Sequence, residues 1–263
     1  MQYLNFFSLF HLFISVSYLL FKKGKCIETA VQSFIEIIQE ALDKGVHSIG
    51  IFIDLTKAYD TLNHKVLLEK LLSYGIRGIT NLWFKSYLTK RRQYIEINRS
   101  DSSNVMVSRY RSSCREIKQS VPLCPLLFLL YINDLPLNIH SANLDIFADI
   151  NVLITDSAVC ALQRKTDRVI AELEMWFNRN DLIINVGKTG IMSFHNRQSK
   201  FLIKPQVSFN KLNLEYTAET KFLGIHITGT LKCNSHVQSL ANKLSKVSFM
   251  IKSSKGILSP YMN

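Results

Sequence analysis

The 263 residues carry 32 Lys+Arg against 20 Asp+Glu, a formal net charge of +12, and 47% of them are hydrophobic. That length permits one large domain or two small ones with a sizeable core, and the hydrophobic fraction excludes a disordered chain. The positive excess points to a polyanionic partner, nucleic acid or an anionic membrane surface, with a solvated basic face as the alternative. Five scattered cysteines (Cys26, Cys114, Cys124, Cys160, Cys233) form no CxxC or Cys/His cluster. This argues against a disulfide framework or a zinc site and suits a reducing compartment.

Residues 3–21 contain no charged side chain apart from His11. The stretch is long enough for a membrane span, but Asn5, Ser8, His11, Ser15 and Ser17 interrupt it. Lys22, Lys23 and Lys25 follow it, whereas a signal peptide carries its positive charge in front. Residues 1–21 are read as an apolar leader, either a packed helix or an aberrant leader. A signal-anchor through 3–21 is the alternative. The expected location is intracellular, cytoplasm or nucleus.

Residues 28–42 place Val31, Phe34, Ile35, Ile38 and Leu42 on one helical face, with Gly45 as the stop. The run 49–53 is short, apolar and β-branched, which predicts a strand buried on both faces and ending at Asp54. Helices are expected over 61–74 and 80–88, and a basic strand over 90–97. Residues 100–115 read as polar and irregular. A buried helix is expected over 125–135, a strand–turn–strand over 144–154, and an amphipathic helix over 158–177. A turn and strand carrying Lys188 should occupy 182–194, a hairpin 207–214, a strand 221–227 and a helix 235–251. Irregular alternation of helices and strands predicts an α+β fold.

Asp54 ends a buried strand, where an ionised carboxylate is costly unless a cation meets it. Two readings stand: an N-cap of the following helix, or a metal ligand that needs a second carboxylate. Asp149, ninety-five residues on, sits in the tight turn between two apolar strands; Asp145 and Asp156 compete with it. Two carboxylates brought together suit a pair of magnesium ions, set roughly 3.5–4 Å apart to clamp the oxygens of an in-line phosphoryl displacement.

The stretch Phe52-Ile-Asp-Leu-Thr-Lys-Ala-Tyr-Asp60, followed by Thr61-Leu-Asn-His64, resembles motif A of LINE-type (non-LTR) retrotransposon reverse transcriptases. So do Tyr74-Gly-Ile-Arg-Gly78, Trp83-Phe-Lys-Ser-Tyr-Leu88, Pro125-Leu-Leu-Phe-Leu-Leu-Tyr-Ile-Asn-Asp-Leu135, Phe147-Ala-Asp149, Asn185-Val-Gly-Lys-Thr189 and Lys221-Phe-Leu-Gly224. They occur in the family's order. The resemblance implies a right-hand polymerase: fingers and palm over 22–227, and over 228–263 the start of a thumb that is otherwise missing. It implies RNA-directed DNA synthesis by two-metal nucleotidyl transfer onto a primer 3′-hydroxyl. The partners would be an RNA template, a DNA primer and deoxynucleoside triphosphates, with Mg²⁺ or Mn²⁺ as cofactor.

By position in the motifs, Asp54 and Asp149 resemble the metal-binding aspartates, and the Leu55 carbonyl an extra ligand. Tyr59 matches the aromatic gate against a ribose 2′-hydroxyl, with a core aromatic as the alternative. Lys188 falls in the region near the incoming phosphates, or is a surface lysine. Gln119 and Lys22 match substrate-side positions. Phe222, Leu223 and Gly224 resemble the primer-grip strand. Arg91 and Arg92 would follow the template backbone by charge.

The chain also departs from the family. Phe147-Ala-Asp-Ile150 stands where the family has Phe-Ala-Asp-Asp, and Lys118-Gln-Ser-Val-Pro-Leu-Cys-Pro125 lacks both glycines of the nucleotide-facing loop. Ser120 and Cys124 are expected to crowd that loop. Lys22 keeps a charge but not arginine's fork. These changes imply a truncated, degenerate copy with weakened metal binding, or a nucleic-acid-binding remnant without catalysis.

Overall fold

The computed structural model describes residues 27–56, 58, 61–89, 91–93, 96–97, 106–107, 111–113, 123–146, 150–196 and 204–258. At its centre is a four-stranded antiparallel sheet in the order β6-β7-β1-β8, formed by β1 (His47–Ile53), β6 (Asn143–Ile146), β7 (Ile150–Asp156) and β8 (Gly190–Phe194). Strand β1 lies between β7 and β8, with Ile53 opposite Ile150 and Phe52 opposite Gly190.

The unbroken apolar run of β1 follows from this position. Ile49, Ile51 and Ile53 enter the larger core with Ile150, Val152, Ile154 and Ile191, whereas Phe52 enters a second core with Leu153, Met192 and Phe194. Successive strand side chains point to opposite faces, so one strand supplies both cores. The larger core is closed by α2 (His64–Ser73), α3 (Gly78–Leu88), α4 (Leu123–Ile132) and α6 (Val159–Arg179), with the short helix α5 (Leu135–Asn138) between the last two. The second is closed by α1 (Ile27–Asp43) through Val31, Phe34 and Ile38. The α+β reading is borne out.

Several boundaries differ from expectation for identifiable reasons. Helix α2 starts at His64 because Asn63 caps it, its side chain accepting from the Lys65 and Val66 amides. This also removes the cap reading of Asp54, since α2 is the first described helix after β1. The basic segment contains two short strands, β2 (Arg91–Gln93) and β3 (Glu96–Ile97). Residues read as irregular supply their partners, β4 (Met106–Val107) and β5 (Arg111–Ser113). Polar composition hid these strands, because backbone pairing needs no apolar alternation. Cys124 lies in the first turn of α4 with its side chain in the larger core, 1% exposed; Ser120 and the rest of the 118–122 loop lie outside the described residues.

The expected 207–214 hairpin forms from β9 (Ser208–Phe209) and β10 (Leu212–Asn213), with Asn210 and Lys211 both at positive φ. The expected single strand 221–227 is a second hairpin, β11 (Glu219–Phe222) and β12 (Ile225–Thr228), turning at Leu223 and Gly224, both at positive φ. Two such residues make the tight turn whose twist matches the flanking strands. Helix α7 (Asn234–Leu258) ends the described chain and leaves Val237, Leu240, Leu244 and Val247 exposed. Among the described residues no helix is long and apolar enough to cross a membrane; the leader 3–21 lies outside them.

Candidate active site

Asp54 follows the last residue of β1 and is half-buried. Its backbone is held on both sides by one tight segment. The Asn185 amide donates to the Asp54 carbonyl at 2.8 Å, and the Asp54 amide donates to Thr189 Oγ1 at 3.3 Å. Leu55 bridges Ile184, and the Thr56 amide donates to the Ile183 carbonyl at 2.8 Å. The motif Asn185–Thr189 therefore clamps the strand end. The Lys188 and Thr189 amides both donate to the Asn185 carbonyl, which folds the segment tightly and leaves the Lys188 side chain exposed. Asn185 and Thr189 are positioning residues that the sequence reading quoted within a motif without giving them a role.

No described residue is ion-paired with the Asp54 carboxylate. A half-buried carboxylate in that state favours a cation as its partner, and oxygen donors suit Mg²⁺ or Mn²⁺. Ile53 is paired with Ile150, so the residues covalently next to Asp54 and Asp149 are register partners. Asp149 itself lies outside the described residues, as do Tyr59, Gln119 and Lys22. Asp156 pairs opposite His47 at the far end of β1 and accepts from the Ala158 amide at 3.2 Å. Seven register steps, about 23 Å, separate it from Asp54, which removes it as a competitor. Asp145 pairs opposite Asn151, one step further from the Asp54 end than Ile146.

Ile150, standing where the family has a second aspartate, is 1% exposed and packs in the larger core with Ile53. Leu55 packs against the same core, so alternation turns Asp54 to the opposite side. Arg91 and Arg92 lie in β2, opposite Ser113 and Ser112. Phe222 was expected to contact nucleic acid. Its side chain is 1% exposed, with its ring centroid 4.6 Å from that of Phe34 and 6.3 Å from that of Phe52. It anchors the hairpin to the second core; at the tip, Leu223 is half-buried against the same core and Gly224 is exposed.

A second polar cluster explains why Tyr131 to Leu135 and α2 belong together. Lys70 Nζ donates to the Tyr131 carbonyl and to Asp134 Oδ1, each at 2.6 Å, and lies 4.9 Å from the Tyr131 and Trp176 ring centroids. Burial pulls the Lys70 amine below its ordinary value, against the opposing pull of Asp134. Burial, helped by the Asp134 charge, pushes the Tyr74 hydroxyl up to about 12. Lys70→Ala strips the donor from both acceptors, and urea unfolding should show a loss of about 2–3 kcal/mol; a loss under about 0.5 kcal/mol would make the bridge ornamental.

His64 follows the capping Asn63 and is 9% exposed, with Nε2 unpartnered. Burial lowers its pKa below 6.5, opposed by a hydrogen bond to the Leu88 backbone. The unfolded chain therefore binds more protons, so this contribution is complete above 6.5 and declines as pH falls toward the folded value. Denaturant midpoints at pH 7 and about pH 5.5 should diverge in the native chain and converge in His64→Gln.

Residues 9–227 match the family described as reverse transcriptase (RNA-dependent DNA polymerase). The chain is 25% identical over 228 residues to the RNA-directed DNA polymerase from mobile element jockey of Drosophila melanogaster, covering 81% of this chain and 23% of that protein. It is 26% identical over 232 residues to the jockey polymerase of Drosophila funebris, with the same 81% and 23% coverage. It thus spans about a quarter of the length of these curated relatives. The expected likeness to retrotransposon polymerases is borne out. Among solved structures, a telomerase from Candida tropicalis in complex with a TWJ fragment of telomeric RNA shares the fold. The TM-score is 0.54 at 13% identity, covering 89% of this chain and 37% of that one. The central antiparallel sheet, the motif order along it and the match over 9–227 lead to one assignment: the chain belongs to the reverse transcriptase (RNA-dependent DNA polymerase) family.

Proposed function

We propose that this chain is the fingers and palm of an RNA-directed DNA polymerase, extending a DNA primer on an RNA template with deoxynucleoside triphosphates. The observation that carries this reading is the register of Ile53 with Ile150, which makes Asp54 and Asp149 neighbours of a paired position. Those two carboxylates would hold Mg²⁺ or Mn²⁺. The bound ions supply Lewis-acid polarisation and stabilise the attacking and leaving oxygens.

The chain's own residues do the remaining work. Asn185 and Thr189 fix the backbone of Asp54, and the Leu55 carbonyl adds an oxygen donor. The exposed Lys188 ammonium meets the triphosphate as a point charge. By their place in the motifs, Tyr59 would act as the gate against a 2′-hydroxyl, and Gln119 and Lys22 would meet the nucleotide. Leu223 and Gly224 present the hairpin tip to the primer, with Phe222 anchoring it, and Arg91 and Arg92 follow the template phosphates. With one carboxylate in the 147–150 turn where the family has two, synthesis is slow.

Primer extension on an RNA template with Mg²⁺ or Mn²⁺ tests the reading. Template-dependent incorporation of deoxynucleotides over ribonucleotides is the expected result. Salt-sensitive RNA binding without any incorporation would replace the polymerase with a binding remnant.

A further inference from the structure

The end of the sheet remote from Asp54 carries a second basic feature that the polymerase reading does not use. A cavity of about 570 Å³ opens where β6 and β7 meet the first half of α6. Arg164, Lys165 and Arg168 of α6 line it together with His140 from the α5–β6 connection and Asn143 at the start of β6. Asp156 is the one carboxylate among the described lining residues, and it is already engaged by the Ala158 amide. Lys165 is held in place by donating to the Thr155 carbonyl at 2.8 Å. Neither Arg164 nor Arg168 is ion-paired with a described residue.

Three permanent cations gathered at one cavity repel one another, and an anion relieves that cost. Planar guanidinium groups favour phosphate as that anion. Among the described lining residues there is no Phe, Tyr or Trp, and His140 supplies the one ring, so the platform for base stacking is small. The lining therefore suits phosphates more than bases. We infer that this cavity is a second nucleic-acid site: it holds the phosphate backbone of a single-stranded RNA segment about 20 Å from the Asp54 end of the sheet.

The test is equilibrium binding of a fluorescent oligouridylate to the full chain over a salt series, compared with the double variant Arg164→Gln, Arg168→Gln. Both side chains are exposed, so equal melting temperatures will show an intact fold. The variant should bind about tenfold more weakly at low salt, with a log–log salt slope shallower by about 1.4, the value for two lost single-strand phosphate contacts. Unchanged affinity and slope would overturn the inference. Inorganic tripolyphosphate provides a second arm. If it raises the melting temperature of the native chain but not of the variant, and RNA affinity is equal in both, the site takes small phosphates and the polynucleotide assignment fails. Neither measurement requires polymerase turnover, so the outcome is separable from the proposed function.

Discussion

Replacing Asp54 with Asn should reduce primer extension about a thousandfold and leave the melting temperature nearly unchanged. The two hydrogen bonds that hold this residue use its backbone carbonyl and amide, so the substitution leaves the clamp from Asn185 and Thr189 in place. It removes only the charge of a half-buried carboxylate with no described ion-pair partner. A loss of about 4 kcal/mol in transition-state stabilisation corresponds to that factor. Mn²⁺ binding followed by water proton relaxation gives a readout independent of turnover, and the variant should bind the ion at least about tenfold more weakly. Extension above about a tenth of the native rate would sink the ligand role.

Ile150→Asp should destabilise the chain by about 3 kcal/mol and raise extension less than tenfold. In motif terms this change restores the family's second aspartate. In the structure, Ile150 is 1% exposed among Ile53, Val152 and Ile154, on the face of the sheet that Asp54 does not share. A carboxyl introduced there meets an apolar core, where desolvation raises its pKa and favours the neutral form. Ile150→Asn places a polar group of the same shape without the charge. Its loss should be smaller at pH 7, and the gap between the variants should narrow as pH falls and the carboxyl protonates. Equal stability with a large gain in synthesis would show instead that the core has adjusted around a missing metal ligand.

This second prediction alters the meaning of the Phe147–Ile150 departure. From the motif alone, the lost aspartate looked like half of a metal site gone. The strand pairing keeps Asp54 and Asp149 as neighbours of one paired position and gives Ile150 to the core. The change therefore reads first as a packing substitution, and its effect on the metal ions is second.

The outline of the central sheet and its covering helices was legible because local periodicity reports burial directly. A short apolar run of strand length, rich in β-branched residues, reads as a strand covered on both faces, and 47–53 is that strand. The helical faces of 27–43 and 159–179 were equally plain. Turn chemistry was harder to see: Leu223 adopts positive φ, which a leucine does not advertise, and the primer-grip segment was read as one straight strand. The burial of Phe222 against Phe34 and Phe52 rests on residues scattered through the chain, beyond the reach of any local pattern.

By itself, the sequence determined the family, the α+β class, the placement of Asp54 at a buried strand end and the basic character of the chain. Those properties reside in residue type and short-range spacing. The tertiary structure decided which carboxylate is excluded, since the β1–β7 register sends Asp156 to the far end of the sheet. It also showed that Asn185 and Thr189 hold the strand end at Asp54, and that Lys70 joins α2 to Tyr131 and Asp134. Register and long-range hydrogen bonding come from the simultaneous packing of distant segments. That is why Asp54, visible from the start, acquired its neighbours only in the fold.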